Sequence, residues 1–215
     1  MAAREGMAMA DDPIVGLVLA GGLSSRMGGG DKCLRPLGGR PILVHIVDRL
    51  RPQVDRVVLN ANGDPARFAG FAVPVAADTV EGFAGPLAGI LAGLRWVAAN
   101  VSAAGSMVSV ASDAPFLPHD LVHRLRAGAA SAGTVLACAA SRGRTHPVFG
   151  LWSVALADDL ERALRDEDLR KVDRWTARHG CTQVAFDEAD RDPFFNVNRP
   201  EDLAEAEEML APPPG

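Results

Sequence analysis

IVGLVLAGGLSSRMGGGDK, residues 14–32, is the stretch on which the reading of the fold turns. Its first seven residues form an unbroken apolar run that stops at Gly21-Gly22. A strand with no polar alternation is one buried on both faces, which points to a parallel sheet covered by helices. The loop that follows holds five glycines, two serines, Arg26 and Lys32. Glycine lets the backbone adopt positive φ and turn its N–H groups toward a ligand, which makes a concave anion site. Arg26 can fork onto two phosphate oxygens and Lys32 adds a point charge, a pairing suited to a triphosphate. Glycine content alone fits a flexible loop with two solvated cations equally well. The segment is not a P-loop, because Cys33 stands where Ser or Thr must follow the lysine, and the dinucleotide GxGxxG register fails from Gly21.

Outward from this stretch, short apolar runs alternate with runs of helical period. Pro41 opens a helix carrying Leu43, Ile46, Val47 and Leu50, which ends ahead of Pro52. Residues 55–61 and 71–78 read as strands, and Leu87, Ile90, Leu91, Leu94 and Val97 mark an amphipathic helix. Residues 106–112 form another buried strand, and Pro118 begins a helix with Leu121, Val122 and Leu125. Strands are expected at 134–140, 147–152 and 182–186, with helices at 153–165, about 169–179, and from Pro200 onward. This alternation predicts an α/β fold: one Rossmann-like three-layer α/β/α domain with a mostly parallel sheet. Residues 1–12 are expected to be a flexible extension, 13–210 the domain and 211–215 a tail.

With 215 residues, 48% hydrophobic and 23% charged, the chain can bury one sizeable core. A net charge of −5 argues against a nucleic-acid binder while leaving room for a small anionic ligand. Cys33, Cys138 and Cys181 are far apart in sequence and form no CxxC pair, so free thiols in a reducing cytoplasm are expected. The first twelve residues lack the apolar run of a signal peptide, and Met7 or Met9 could serve equally as the start. No apolar stretch approaches the ~20 residues needed to cross a bilayer.

Several strand ends carry polar residues. Asp113, in Ser-Asp-Ala-Pro-Phe (112–116), follows a buried strand, where an open α/β sheet gathers its ligands. A lone carboxylate there could hold Mg²⁺ while triphosphate oxygens and water complete the shell, or it could simply start a turn before Pro115. Asn60 and Asp78 end two other strands; either could meet a base and ribose or merely terminate its strand. Gly85-Pro86-Leu87-Ala88-Gly89 enters a helix whose exposed N–H groups attract anions, although small residues there also serve helix–sheet packing.

Taken in order, LAGG (19–22), RMGGGDK (26–32), SDAPF, GPLAG, RTHP (144–147) and FNVNRP (195–200) resemble the motifs of the molybdenum cofactor guanylyltransferases. That family lies within the nucleotidyltransferases of nucleotide-diphospho-sugar-transferase fold. The likeness runs over about residues 14–205; Cys33 departs from it, where glycine is common, and 79–84 vary.

The resemblance implies GMP transfer from GTP to molybdenum-bound molybdopterin, with pyrophosphate as the second product. It implies that Leu19, Ala20, Gly21, Gly22, Lys32, Asn60, Asp78 and Asp113 bind the nucleotide. Arg26, Lys32 and Asp113 would be catalytic, with Asp113 on Mg²⁺. Gly85, Pro86, Leu87, Arg144, His146, Asn196 and Asn198 would form the pterin side. A cytoplasmic monomer is expected, with other cofactor-biosynthesis proteins and molybdoenzyme chaperones as protein partners and no membrane or nucleic acid among them. The rivals are a cytidylyltransferase using CTP, whose loop usually reads LAAG, and a non-catalytic nucleotide-binding adaptor for molybdoenzyme maturation.

Overall fold

In the computed structural model, which describes residues 12–21, 31–80, 82, 85–187 and 191–210, the apolar run becomes β1 (Ile14–Leu19). Ile14 and Val18 face one core, Val15 and Leu17 the other, as a strand wet on neither side requires. Short β2 (Pro36–Leu37) and β3 (Arg40–Pro41) make a separate hairpin leading into α1 (Ile42–Leu50). Next come β4 (Arg56–Asn60), β5 (Val75–Ala76), α2 (Pro86–Asn100) and β6 (Ser106–Ala111). The second half runs α3 (Leu121–Ala132), β7 (Leu136–Ser141), β8 (Arg144–Ser153), α4 (Ala157–Arg165), α5 (Val172–His179), β9 (Cys181–Ala185) and α6 (Pro200–Leu210).

Seven strands form one sheet in the order β5-β4-β1-β6-β8-β7-β9, and only β8 runs against the rest. Helices α1, α3 and α6 cover one face, and α2, α4 and α5 the other, so the three-layer α/β expectation holds. The chain leaves β1 for β4 and β5 on one side, then returns to β6 on the other. The C-terminal ends of β1 and β6 therefore flank a topological switch point, where open α/β sheets leave a crevice. No helix among the described residues is long and apolar enough to cross a membrane.

Among the elements that differ from the sequence expectation, three have a plain physical cause. The strand foreseen at 71–78 shrinks to two residues, because Pro74 has no N–H to donate and Ala72 sits in the left-handed region at φ 50°. The helix expected at Pro118 begins at Leu121, with Pro118 spent in the preceding turn. The strand foreseen from Pro147 starts at Arg144, and its pairing with β7 jumps from Cys138↔Gly150 to Ala139↔His146. Proline cannot give a ladder hydrogen bond, so Pro147 and its neighbours bulge out of register.

Gly22 and Arg26, the tail at 211–215, and all of the N-terminal extension except Asp12 lie outside the described residues.

Candidate active site

A cleft of about 950 Å³ opens at the switch point, lined among others by Leu19, Gly21, Lys32, Asn60, Asp78 and Asp113. Ala20 N–H donates to Asn60 O (2.8 Å) and Ser112 N–H to Leu19 O (3.2 Å), which extends the parallel ladders to the cleft's rim.

Asp113 is set two residues past β6. Burial raises its carboxyl above the usual carboxylate range, while the nearby Lys32 ammonium pulls it back down. Its carbonyl accepts the Val197 N–H at 2.8 Å, so the Asn196-Val197-Asn198 segment is stitched to the end of β6. Val197 is fully buried, Asn196 is exposed and Asn198 is half-buried. Lys32 Nζ donates to Asn198 Oδ1 at 2.8 Å, joining residues 166 positions apart. Asn198 is held in turn: Asp202 Oδ2 accepts the N–H groups of Asn198 (2.8 Å) and Arg199 (2.9 Å), one half of a capping box at the start of α6. The expected division between a nucleotide end holding Lys32 and a pterin end holding Asn198 thus closes into one cluster with Asp113.

At the other side of the cleft Asn60, only 2% exposed, gives its amide protons to Ala76 O (3.1 Å) and Asp78 Oδ1 (2.9 Å). Asn62 grips Asp78 twice, donating to Oδ2 (2.8 Å) and accepting the Asp78 N–H (2.9 Å). Arg67 Nη2 donates to Asn62 O at 2.6 Å, and its Nε lies 2.6 Å from Asp31 Oδ2 as an ion pair without an aligned N–H bond. A continuous polar strap therefore runs from Asp31, next to Lys32, through Arg67 and Asn62 to Asp78. Sequence reasoning missed Asn62, Arg67 and Asp31. The NAN repeat at 60–62 was a visible signal for Asn62; Arg67 sits in a polar loop with no pattern to mark it.

Gly85 and Pro86 open α2 at the cleft wall. Leu87 turns its side chain the other way: it is 1% exposed, in the core cluster that also holds Ile90 and Leu91. The apolar period of the helix requires that position for the core, so its side chain is withdrawn from any substrate. Gly89 instead lies directly under Asn60. A Cβ there would come within 3 Å of both Asn60 Oδ1 and Leu19 Cδ2, so the absent side chain makes room for the asparagine.

Arg144 and His146 stand on β8 where it passes the C-terminal edge of the parallel strands. Arg144 is exposed; His146 is half-buried against Phe194 (centroids 4.7 Å apart) and Phe149 (6.2 Å). Cys33 lies at the cleft floor, where burial and the neighbouring Asp31 push its thiol up to about 12, an unreactive state. All three cysteines are free.

A fold of this topology, with Lys32, Asp78, Asp113 and the asparagines Asn60 and Asn62 around a switch-point cleft, is the arrangement of a nucleotidyltransferase. The chain belongs to the family described as MobA-like NTP transferase domain, whose model matches residues 16–182. It is 59% identical over 198 residues to a protein of Bradyrhizobium sp. (strain ORS 278) named molybdenum cofactor guanylyltransferase, covering 92% of this chain and 93% of that one. Among solved structures it is similar to molybdopterin-guanine dinucleotide biosynthesis protein A from Archaeoglobus fulgidus, with 25% identity, a TM-score of 0.71, and coverage of 91% and 97%. It also shares its fold with Rv0371c of Mycobacterium tuberculosis, solved in complex with manganese, at 21% identity and a TM-score of 0.66 over 92% and 100%.

Proposed function

We propose that this chain transfers GMP from GTP to the terminal phosphate of molybdenum-bound molybdopterin, releasing pyrophosphate. The observation that carries the reading is that Lys32, held by Asn198, lines one cleft with Asp113 and the Asn60–Asp78 pair, in a chain so similar to a protein named for this activity.

An oxygen of the pterin phosphate attacks the α-phosphorus of GTP. The bond from that phosphorus to the bridging oxygen breaks, and pyrophosphate leaves with the electron pair. The nucleophile is already anionic, so the site needs no general base. Catalysis then rests on alignment and on charge placed where the leaving group develops it. Lys32, fixed by Asn198, supplies a cation for the leaving pyrophosphate, and Arg26 with the glycine loop adds to it. Asn60 and Asp78 present an amide and a carboxylate to guanine and ribose. Gly85, Pro86, Arg144, His146 and Asn196 make up the pterin side, with Asn198 shared between the two substrates.

The donor set fits Mg²⁺. Among the described residues no group of three or more His, Cys, Asp or Glu side chains gathers to cage a metal. One recessed carboxylate, Asp113, with phosphate and water oxygens as the other ligands, is the habit of magnesium with nucleotides. When bound, the ion neutralises triphosphate charge and aligns the α-phosphate.

The domain is proposed to span 13–210 and to act as a cytoplasmic monomer, meeting other cofactor-biosynthesis proteins and molybdoenzyme chaperones. A thermal-shift comparison of the four nucleoside triphosphates with Mg²⁺ tests the nucleotide assignment, because a native-state ligand stabilises by RT ln(1 + [L]/Kd). GTP should give the largest shift; an equal or larger shift with CTP would favour cytidylyl transfer.

A further inference from the structure

Behind His146 on the pterin side stand Ser141 and Asp192, two residues that the reaction as described does not use. Ser141 closes β7 and is 1% exposed. Its Oγ lies 2.8 Å from His146 Nε2 and 2.9 Å from Asp192 Oδ1. Asp192 Oδ1 also accepts the Phe194 N–H at 3.0 Å, which fixes the carboxylate at the start of the loop that carries Asn196 and Asn198.

Proton counting decides the roles. A serine hydroxyl has one proton, and a carboxylate oxygen only accepts. The hydroxyl proton therefore goes to Asp192, and the Ser141 lone pair faces His146 Nε2, which must carry a hydrogen. Burial pushes the imidazole below the ordinary histidine range; Asp192 opposes this and Arg144 reinforces it. A neutral ring with hydrogen on Nε2 has a bare Nδ1, an acceptor. Among the described residues Nδ1 has no hydrogen-bond partner, and the ring is clamped by Phe194 and Phe149.

We infer that Ser141 and Asp192 are positioning residues that hold His146 as the Nε2–H tautomer, so that Nδ1 accepts a hydrogen bond from an N–H donor on the pterin substrate. The ligand half of this inference rests on the reaction proposed above; the tautomer half rests on the hydrogen bonds alone. The aminopyrimidinone edge of a pterin is rich in N–H donors, and a ring locked in one tautomer accepts from it without reorganising.

Nitrogen-15 spectra of the histidine ring, recorded on the full-length protein with and without molybdopterin, separate the two halves. The free protein should show a pyrrole-type Nε2 and a pyridine-type Nδ1, and only Nδ1 should move strongly when the pterin is added. Ser141→Ala and Asp192→Ala should each mix the tautomers. Ser141→Ala should also raise KM for the pterin about three- to tenfold, the loss of one neutral hydrogen bond, while leaving KM for GTP unchanged. Asp192→Asn keeps an acceptor in place and should retain the wild-type tautomer and KM. A free protein with hydrogen on Nδ1 would overturn the tautomer half. An intact Nε2–H tautomer whose Nδ1 ignores the pterin, in an enzyme that still turns over, would overturn the contact while leaving the reaction standing. Absence of turnover with GTP and pterin, beside the expected tautomer, would instead remove the reaction and keep the tautomer half.

Discussion

Lys32 Nζ and Asn198 Oδ1 meet at 2.8 Å, bridging the glycine loop after β1 and the loop before α6. One residue from Asn198, the Val197 N–H binds the Asp113 carbonyl, so the proposed metal aspartate, the proposed leaving-group lysine and the last loop form a single unit. An amide oxygen aimed at an ammonium fixes a flexible four-carbon stem that would otherwise lose rotamer entropy when it meets a phosphate.

Asn198→Ala should therefore impair the use of GTP as well as that of the pterin. Lys32→Ala should cost ~2–4 kcal/mol of transition-state stabilisation, a typical loss for one charge-aligned donor. Because the two side chains touch, the double variant should lose less than the sum of the single losses, with a coupling of ~0.5–3 kcal/mol. Initial rates for the four members of the cycle supply the numbers. Additivity within about 0.3 kcal/mol would mean that Asn198 serves the pterin alone.

Asp113→Ala should nearly abolish turnover at ordinary Mg²⁺ and leave the thermal midpoint close to wild type. The carboxylate sits in the cleft with its charge raised in cost by burial, so removing it relieves a strain on the fold and deletes a clamp on the transition state. Steady-state rates and a melting curve on the same sample check both halves of the statement.

Gly89→Ala should weaken GTP binding from beneath the site. The new methyl group would strike Asn60 Oδ1 and Leu19 Cδ2, and Asn60 could move only by releasing Asp78. Overpacking of this kind costs ~1–3 kcal/mol. Calorimetry should show a higher Kd for GTP and melting should show a lower midpoint. Wild-type values for both would mean that the helix shifts away at no cost.

Asn62→Ala removes two hydrogen bonds to Asp78 and leaves Arg67 its backbone partner. A loosened Asp78 should bind guanine less selectively, so the ratio of kcat/KM for GTP to that for CTP should fall, by about tenfold for ~1.4 kcal/mol. An unchanged ratio would assign Asn62 to loop stability only.

Acid should act on the pterin side through His146. The neutral His146 ring is favoured by burial, so it gains a proton only below the ordinary histidine range, with Asp192 working against this and Arg144 with it. Protonation turns Nδ1 from acceptor to donor. KM for the pterin should accordingly rise as pH falls through that depressed value, and the rise should vanish in His146→Ala. A flat profile for the wild type would detach His146 from substrate.

Much of this was readable before the fold was known. β1, β6 and α2 announce themselves because burial on both sheet faces, or on one helical stripe, leaves a periodic trace in the chain. Asp113, Asn60 and Asp78 reach one cleft because parallel strands deliver their C-terminal residues to one edge. The side chain of Leu87 goes to the core because the helix period assigns that position there, which leaves its main chain for any contact with a substrate. The Lys32–Asn198 bond, the Arg67–Asp31 ion pair and the Ser141–Asp192 bond left no trace, since each joins segments remote in sequence and depends on how loops cross. The three residues of β8 ahead of Pro147 were not foreseen, because the bulge that carries the strand past the proline is a product of the pairing with β7.

The central claim is GMP transfer, and following the α-phosphate tests it most directly. With GTP labelled at the α-phosphorus, molybdenum-bound molybdopterin and Mg²⁺, label should appear in a guanine dinucleotide of the pterin, with one pyrophosphate released per molecule formed. Label that stays in GTP, or a cytosine dinucleotide formed as fast when CTP replaces GTP, would contradict it.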